Sequence, residues 1–272
     1  MAATRRSERE SVNLFSDYHM HPQGHRLQRY DSALLDPWSK AARERGIRDF
    51  AITDHDRYHE GVDFEAFRRW REQNDDLTIR MGIELDNDPQ SSEAGVAWVQ
   101  RNWEKLDFVL GSVHFLDNWP FDRAGEDVGF SRRPIEEIYR EYAVALRKLV
   151  ERGWIDCLAH LDLIKIFGFR PKTDFLGYFE EVLVLAREKD LALEISTAGW
   201  RKPVGEAYPD EAILRRAKDL GIPFTLASDA HSPFHIGEDY DRLAQLLEKL
   251  GIREVALFQS HERRLVPLAA VG

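Results

Sequence analysis

The chain is poor in cysteine: Cys157 is the only one among 272 residues, so no internal disulfide can form. It also lacks any apolar run near the roughly 18 residues that a membrane span needs. Its first twelve residues are polar and charged, with no apolar stretch of the secretory kind. They read as a flexible arm (1–12) ahead of a single domain over 13–270, and the whole as a cytoplasmic protein. No tract rich in proline, glycine or serine divides that domain. Positive charge is the minority: 38 Lys and Arg face 48 Asp and Glu, a net charge of −10. That balance argues against wrapping a nucleic-acid backbone, although not against a small anionic substrate. Two nucleophile and nucleotide signatures are missing as well. The stretch "GWRKPVGE" lacks the spacing of a nucleotide P-loop, and no G-x-S-x-G elbow occurs. Cys157 falls inside an apolar run, so covalent serine or cysteine catalysis has no support.

What is present is alternation. Short apolar runs at 13–18, 49–53, 78–85, 108–113, 155–159, 192–196 and 223–227 read as strands, and 254–258 is an eighth candidate. Amphipathic stretches at 134–152, 175–189, 210–220 and 240–250 read as helices, with weaker ones at 36–46, 63–73 and 93–104. Pro134 and Asp210 suit helix starts, and Gly153 and Gly221 suit helix stops. Strands alternating with helices over this length imply a parallel sheet, either a barrel or a doubly wound sheet.

Histidine is concentrated where these strands end. "SDYHMHPQGH" at 16–25 holds three of the ten in the chain. The residues just past the apolar runs are His19 and His21, Asp54 and His55, Glu84, His114, His160, and Asp229 with His231. In an α/β barrel the C-terminal strand ends surround one mouth, so residues scattered along the chain would share one pocket. Residues i and i+2 of an extended segment point to the same side, which lets His19 with His21, and Asp229 with His231, close on one ion. Neutral imidazole with carboxylate is the ligand set of zinc, manganese and iron. Seven imidazoles (19, 21, 25, 55, 114, 160 and 231) with Glu84 and Asp229 exceed what one ion needs and suit about three divalent ions. His59, His235 and His261 read as structural or solvent-exposed.

The set His19-x-His21, "TDH" at 53–55, Glu84, His114, His160 and "SDAH" at 228–231 resembles the polymerase and histidinol phosphatase (PHP) family. "GSVHFLDNWPFD" (111–122), "AHLDLIKIFG" (159–168), "TAGWRKPVGEAYP" (197–209) and "SDAHSPFHIG" (228–237) look like its histidinol-phosphatase branch. The resemblance implies a distorted (β/α)7 TIM-like barrel with a trinuclear metal centre. By position, His19, His21, Glu84 and Asp229 would hold one ion. Glu84 would bridge to a second, completed by His114 and His160, and His55, His231 and His25 would hold the third. The "HPQGH" loop is contracted relative to many relatives. Asp54 reads as a residue that orients a ligating imidazole.

The resemblance further implies hydrolysis of L-histidinol phosphate, in histidine biosynthesis, by attack of a metal-bridging hydroxide on phosphorus, with Asp229, Glu84 and His231 as catalytic candidates. Arg201 and Lys202 follow the one strand that supplies no ligand, and with Lys165 they are candidates to grip phosphate. Ser112 and Trp119 flank His114 and are candidates to line the pocket. Phe115, Trp119, Asp117 and Asp122 are available to an imidazole or ammonium group. A phosphoesterase of nucleotides or oligonucleotide ends is the nearest alternative. A metal-dependent amidohydrolase and a non-catalytic metal-binding protein are others. Oligomeric state is not legible in the sequence.

Overall fold

The computed structural model describes residues 11, 12, 14–172, 174–268, 270 and 271. Among these the chain runs β1 (Ser11–Val12), β2 (Ser16–Asp17), α1 (Ser32–Glu44), β3 (Asp49–Ile52), α2 (Phe64–Gln73), β4 (Thr78–Leu85), α3 (Ser92–Asn102) and β5 (Phe108–Gly111). It continues through α4 (Ile135–Arg152), β6 (Cys157–Leu158), α5 (Glu180–Glu188), β7 (Ala192–Ser196), α6 (Glu211–Asp219), β8 (Phe224–Ala227), α7 (Tyr240–Leu250), β9 (Glu254–Gln259), β10 (Glu262–Pro267) and β11 (Ala270–Val271). Of the expected N-terminal arm, 1–10 lie outside the described residues. Ser11–Val12 is a strand instead, paired antiparallel with Ala270–Val271.

Strands β2 to β8 form one parallel sheet in sequential order. The sheet bends round until its two edges meet. Tyr18 N donates to Leu226 O at 2.9 Å, His21 N to Ala230 O at 2.8 Å, and Met20 bridges Ala230 in parallel register. Seven strands in a nearly closed ring with helices outside are a distorted barrel. Every described strand residue of the ring except Thr78 is buried, as expected of a sheet covered on both faces. No helix among the described residues is long and apolar enough to cross a membrane.

Capping side chains set several helix starts. Asp63 accepts hydrogen bonds from Glu65 N and Ala66 N, and Asp210 accepts one from Ala212 N. Helix α1 begins four residues before the expected 36, because Asp31 accepts from Leu34 N and Leu35 is fully buried. Pro37 therefore sits inside the helix.

The candidate strand 254–258 is a strand, but it lies outside the ring. β9 and β10 make an antiparallel hairpin whose two turn residues, Ser260 and His261, both have positive φ (49° and 65°), as a type I′ turn requires. The hairpin docks under the N-terminal strand ends. Phe258 packs on Phe108 with centroids 4.8 Å apart, and Ser260 N donates to Asp107 Oδ1 at 3.1 Å. The opposite rim is left open, and the residues past the strand ends gather there.

Candidate metal centre

Glu84, near the end of β4, is the hub. It is fully buried, and imidazoles surround its carboxylate. His55 Nδ1 lies 2.6 Å from Oε2, His19 Nε2 3.5 Å and His21 Nε2 3.6 Å, while His160 Nε2 lies 3.2 Å and His114 Nε2 3.8 Å from Oε1. Asp229 Oδ1 approaches the cluster from the other side, 3.3 Å from His21 Nε2, 3.4 Å from His231 Nδ1 and 3.9 Å from His19 Nε2.

Several polar atoms of the cluster satisfy no hydrogen bond. His19 Nε2, both nitrogens of His21, His55 Nδ1, His231 Nε2 and Glu84 Oε2 are buried without a partner. Orphaned donors and acceptors cost free energy unless something fills the space between them. Three overlapping groups bring their ligand atoms within 4.8 Å of one another: His21, His55 and His231; His19, His21 and Asp229; and His19, Glu84 and His160. Lone pairs converging from imidazole and carboxylate fit divalent metal ions. The third group pairs His160 and Glu84 with His19. His114 stands beside it, its ring centroid 5.0 Å from that of His160. His25 is exposed at the cavity edge, its ring 4.5 Å from His231.

Electrostatics keep the two carboxylates charged. Burial alone would raise Glu84, but His55, His19 and His114 hold it well below the usual range. Asp229 is likewise held low, against its burial, by His19, His21 and His231. Burial, partly offset by Asp229, pushes His231 down to about 4, so its ring is neutral at pH 7, the form a metal ligand needs. His160 (φ 23°) and Asp229 (φ 51°) hold left-handed backbone, strain of about 1–3 kcal/mol each that the closed ring must sustain.

A layer of carboxylates behind the cluster aims the rings. Glu194, in the middle of β7, accepts from His19 Nδ1 at 2.7 Å and from His160 N at 3.1 Å. The strand expected to supply no ligand gives none to these groups and instead supplies a fully buried anchor behind them. Asp86 Oδ1 holds His114 Nδ1 at 3.1 Å. Asp17 accepts from Ser228 N, Ser228 Oγ and Gly237 N, fixing the loop that carries Asp229 and His231. The expectation for Asp54 is corrected. Its oxygens accept from Gln23 N at 2.8 Å and Tyr30 Oη at 2.7 Å, so it secures the "HPQGH" loop, and among the described residues it accepts no hydrogen bond from an imidazole.

The cluster floors a cavity of about 810 Å³. Arg201 and Lys202 line it, as expected, and so do Arg57, Arg123, Tyr208 and Asp122. Arg201 is braced by Thr197 Oγ1, Ser228 O and Glu238, whereas Lys202 is exposed. Three other expectations do not hold. Lys165 is fully buried, its ammonium 2.9 Å from both Asp162 Oδ2 and Ala207 O, so it ties two loops together rather than facing the cavity. Trp119 lies on Gly129, where a Cβ would come within 2.3 Å of the indole, and edge-on to Phe130. Ser112 is buried with its Oγ 3.4 Å from His114 Nδ1, beneath the cavity wall. Conversely, His235, taken from the sequence as structural or solvent-exposed, lines the cavity. Its loop after β8 folds back over the rim, which spacing along the chain does not reveal. Phe115 and Asp122 line the cavity too, while Asp117 does not.

Comparison with known proteins finds relatives along most of the chain. A probable histidinol-phosphatase of Deinococcus radiodurans is 36% identical over 66% of this chain and 67% of its own length. One of Thermotoga maritima is 28% identical over 84% of this chain and 91% of its own. The histidinol-phosphatase of Lactococcus lactis subsp. lactis is 26% identical over 78% of this chain and 84% of its own. The crystal structure of histidinol phosphate phosphatase from Lactococcus lactis, complexed with zinc, L-histidinol and phosphate, shares the fold. Its TM-score is 0.71 at 23% identity, covering 92% of this chain and 98% of that one. With the PHP domain model matching residues 17–198, the chain belongs to the PHP domain family.

Proposed function

We propose that the chain is a metal-dependent phosphomonoesterase that hydrolyses L-histidinol phosphate to L-histidinol and phosphate. The observation that carries this reading is the convergence of orphaned, buried imidazole nitrogens on Glu84 and Asp229 at the floor of an open cavity with a basic rim. The relatives named histidinol-phosphatase support the choice of ester.

His19, His21, Glu84, Asp229, His160, His55 and His231, with His114 and His25 beside them, would hold about three divalent ions drawn from zinc, manganese and iron. Bound there, such ions supply Lewis acidity toward phosphoryl oxygens and make water acidic enough to react near neutral pH. The protein's part is preorganisation. Glu194 and Asp86 fix the tautomers of His19 and His114, each accepting from Nδ1 and leaving Nε2 to face Glu84. Asp229, held ionised, would face these ions as a charged ligand, its Oδ1 set among His21, His231 and His19. Lys202 and Arg123 at the rim would attract the dianionic ester into a chain that is acidic overall. Arg201, already braced, presents what remains of its guanidinium fork to the phosphate.

The test is phosphate release from a panel of esters before and after chelation. L-Histidinol phosphate should be the preferred substrate, activity should vanish on chelation, and zinc, manganese or iron should restore it. Faster release from nucleoside phosphates would overturn the choice of ester. Undiminished release after complete removal of metal would overturn the mechanism.

A further inference from the structure

A second cavity, of about 570 Å³, lies between α4 and the loops that follow β4 and β5. Its apolar lining includes Phe115, Leu116, Ala145 and Leu149. Phe115 also lines the metal cavity, so the two share a wall. That wall is held in place by Asn87. Its Nδ2 donates to Phe115 O at 2.7 Å, while its Oδ1 accepts from Phe115 N at 3.1 Å and from His114 N at 2.9 Å.

The charge of this cavity is the reverse of the chain's. Arg140, Lys148 and Arg152 line it, and among the described residues none of the three makes an ion pair or a side-chain hydrogen bond. Of the two acids that line it, Glu141 is paired with Arg133, which leaves only the exposed Asp117. Arg152 is the anchor. Its Nε and Nη2 are buried without a partner. Burial pushes its guanidinium below the ordinary arginine value, and the opposing pull of Asp56 and Asp86 does not make up the difference. Buried donors left unmet cost free energy that an incoming anion recovers.

We propose that this cavity is a binding site, separate from the metal centre, for a small carboxylate with an apolar body. The guanidinium of Arg152 takes the carboxylate, Arg140 and Lys148 add attraction, and the body lies against Phe115 and Leu149. The volume falls in the range of about 300–1,000 Å³ usual for small-molecule sites.

The experiment is calorimetric titration of the metal-loaded chain with 3-phenylpropionate, with its neutral amide and with acetate, on the wild type, Arg152→Met and Lys148→Glu. The wild type should bind one 3-phenylpropionate per chain with a dissociation constant below about 1 mM. The amide, which lacks the charge, and acetate, which lacks the body, should each bind about tenfold more weakly or worse. Arg152→Met should lose about tenfold. Lys148→Glu changes an exposed residue, so the fold stays intact, and it should lose about threefold. Both variants should keep their metal. No binding by the wild type, or equal binding of the amide, overturns the site. Binding of 3-phenylpropionate that neither variant weakens belongs to the metal centre and overturns it as well. Phosphate release from L-histidinol phosphate is read separately, so either reading can fail without the other.

Discussion

Glu194 shows how much of the centre depends on single residues that touch no ligand space. Its two oxygens fix one ring by Nδ1 and a neighbouring backbone N–H, so two ligand-bearing loops hang on one carboxylate. Glu194→Gln keeps the shape but replaces an anion with an amide that accepts on one side only. Metal affinity should fall about 10- to 100-fold, read by competition with a chromophoric chelator, with the fold intact by circular dichroism. Lys165 makes the opposite point. Its ammonium is buried between Asp162 and Glu206, so its loss strands a buried charge rather than a substrate contact. Lys165→Met should cost about 3–5 kcal/mol in urea unfolding and leave KM for the ester unchanged. A raised KM at unchanged stability would return Lys165 to the phosphate site.

At the scale of elements, the hairpin that closes the lower rim is held by its turn. His261 stacks on Trp103 at 3.5 Å between ring centroids, donates from one nitrogen to Trp103 O, and faces Asp156 Oδ2 at 2.9 Å with the other. Burial favours the neutral ring, but Asp156 and the Trp103 carbonyl outweigh it and raise the pKa above 6.5. A histidine raised on folding adds stability that is complete below pH 6.5 and lost as pH rises through its folded value. The melting temperature of His261→Gln should therefore trail the wild type more at pH 6 than at pH 9, with phosphatase activity unaffected because the turn sits on the far side of the ring. Such detail divides what the sequence discloses from what it hides. His19-x-His21 and Asp229-x-His231 were legible because two residues along an extended segment share a side, whatever the tertiary fold. Glu194 was hidden because an acidic residue inside an apolar run gives no sign of which neighbour it meets. Asp54, Lys165 and His235 were misplaced for a related reason: loops after strands turn by local chemistry, and distance along the chain does not say which way. In α1, the expected start at 36 gave way to Ser32 because of the Asp31 cap and the buried Leu35.

For the whole molecule, the ring closes between its first and last strands, and the ligand sets flank that closure. His19 and His21 come from one edge, Asp229 and His231 from the other, with Tyr18 N–Leu226 O and His21 N–Ala230 O between them. Stripping the metal should leave unmet imidazole nitrogens facing one another across that join. Amides at Tyr18, His21 and Ala230 should then exchange hydrogen faster, by about tenfold or more per 1.4 kcal/mol of lost local stability, while those of the β9–β10 ladder stay protected. Uniform loss of protection would mean that the ions support the entire barrel and not its join. The same arrangement bears on synthesis. Because two of the three ligand groups draw on both extremes of the barrel, a nascent chain lacks Asp229 and His231, and with them those two groups, until its last ring strand clears the ribosome. Chains broken before that strand keep His19, Glu84 and His160 but should not cleave ester, so premature or damaged copies are silent instead of partly active.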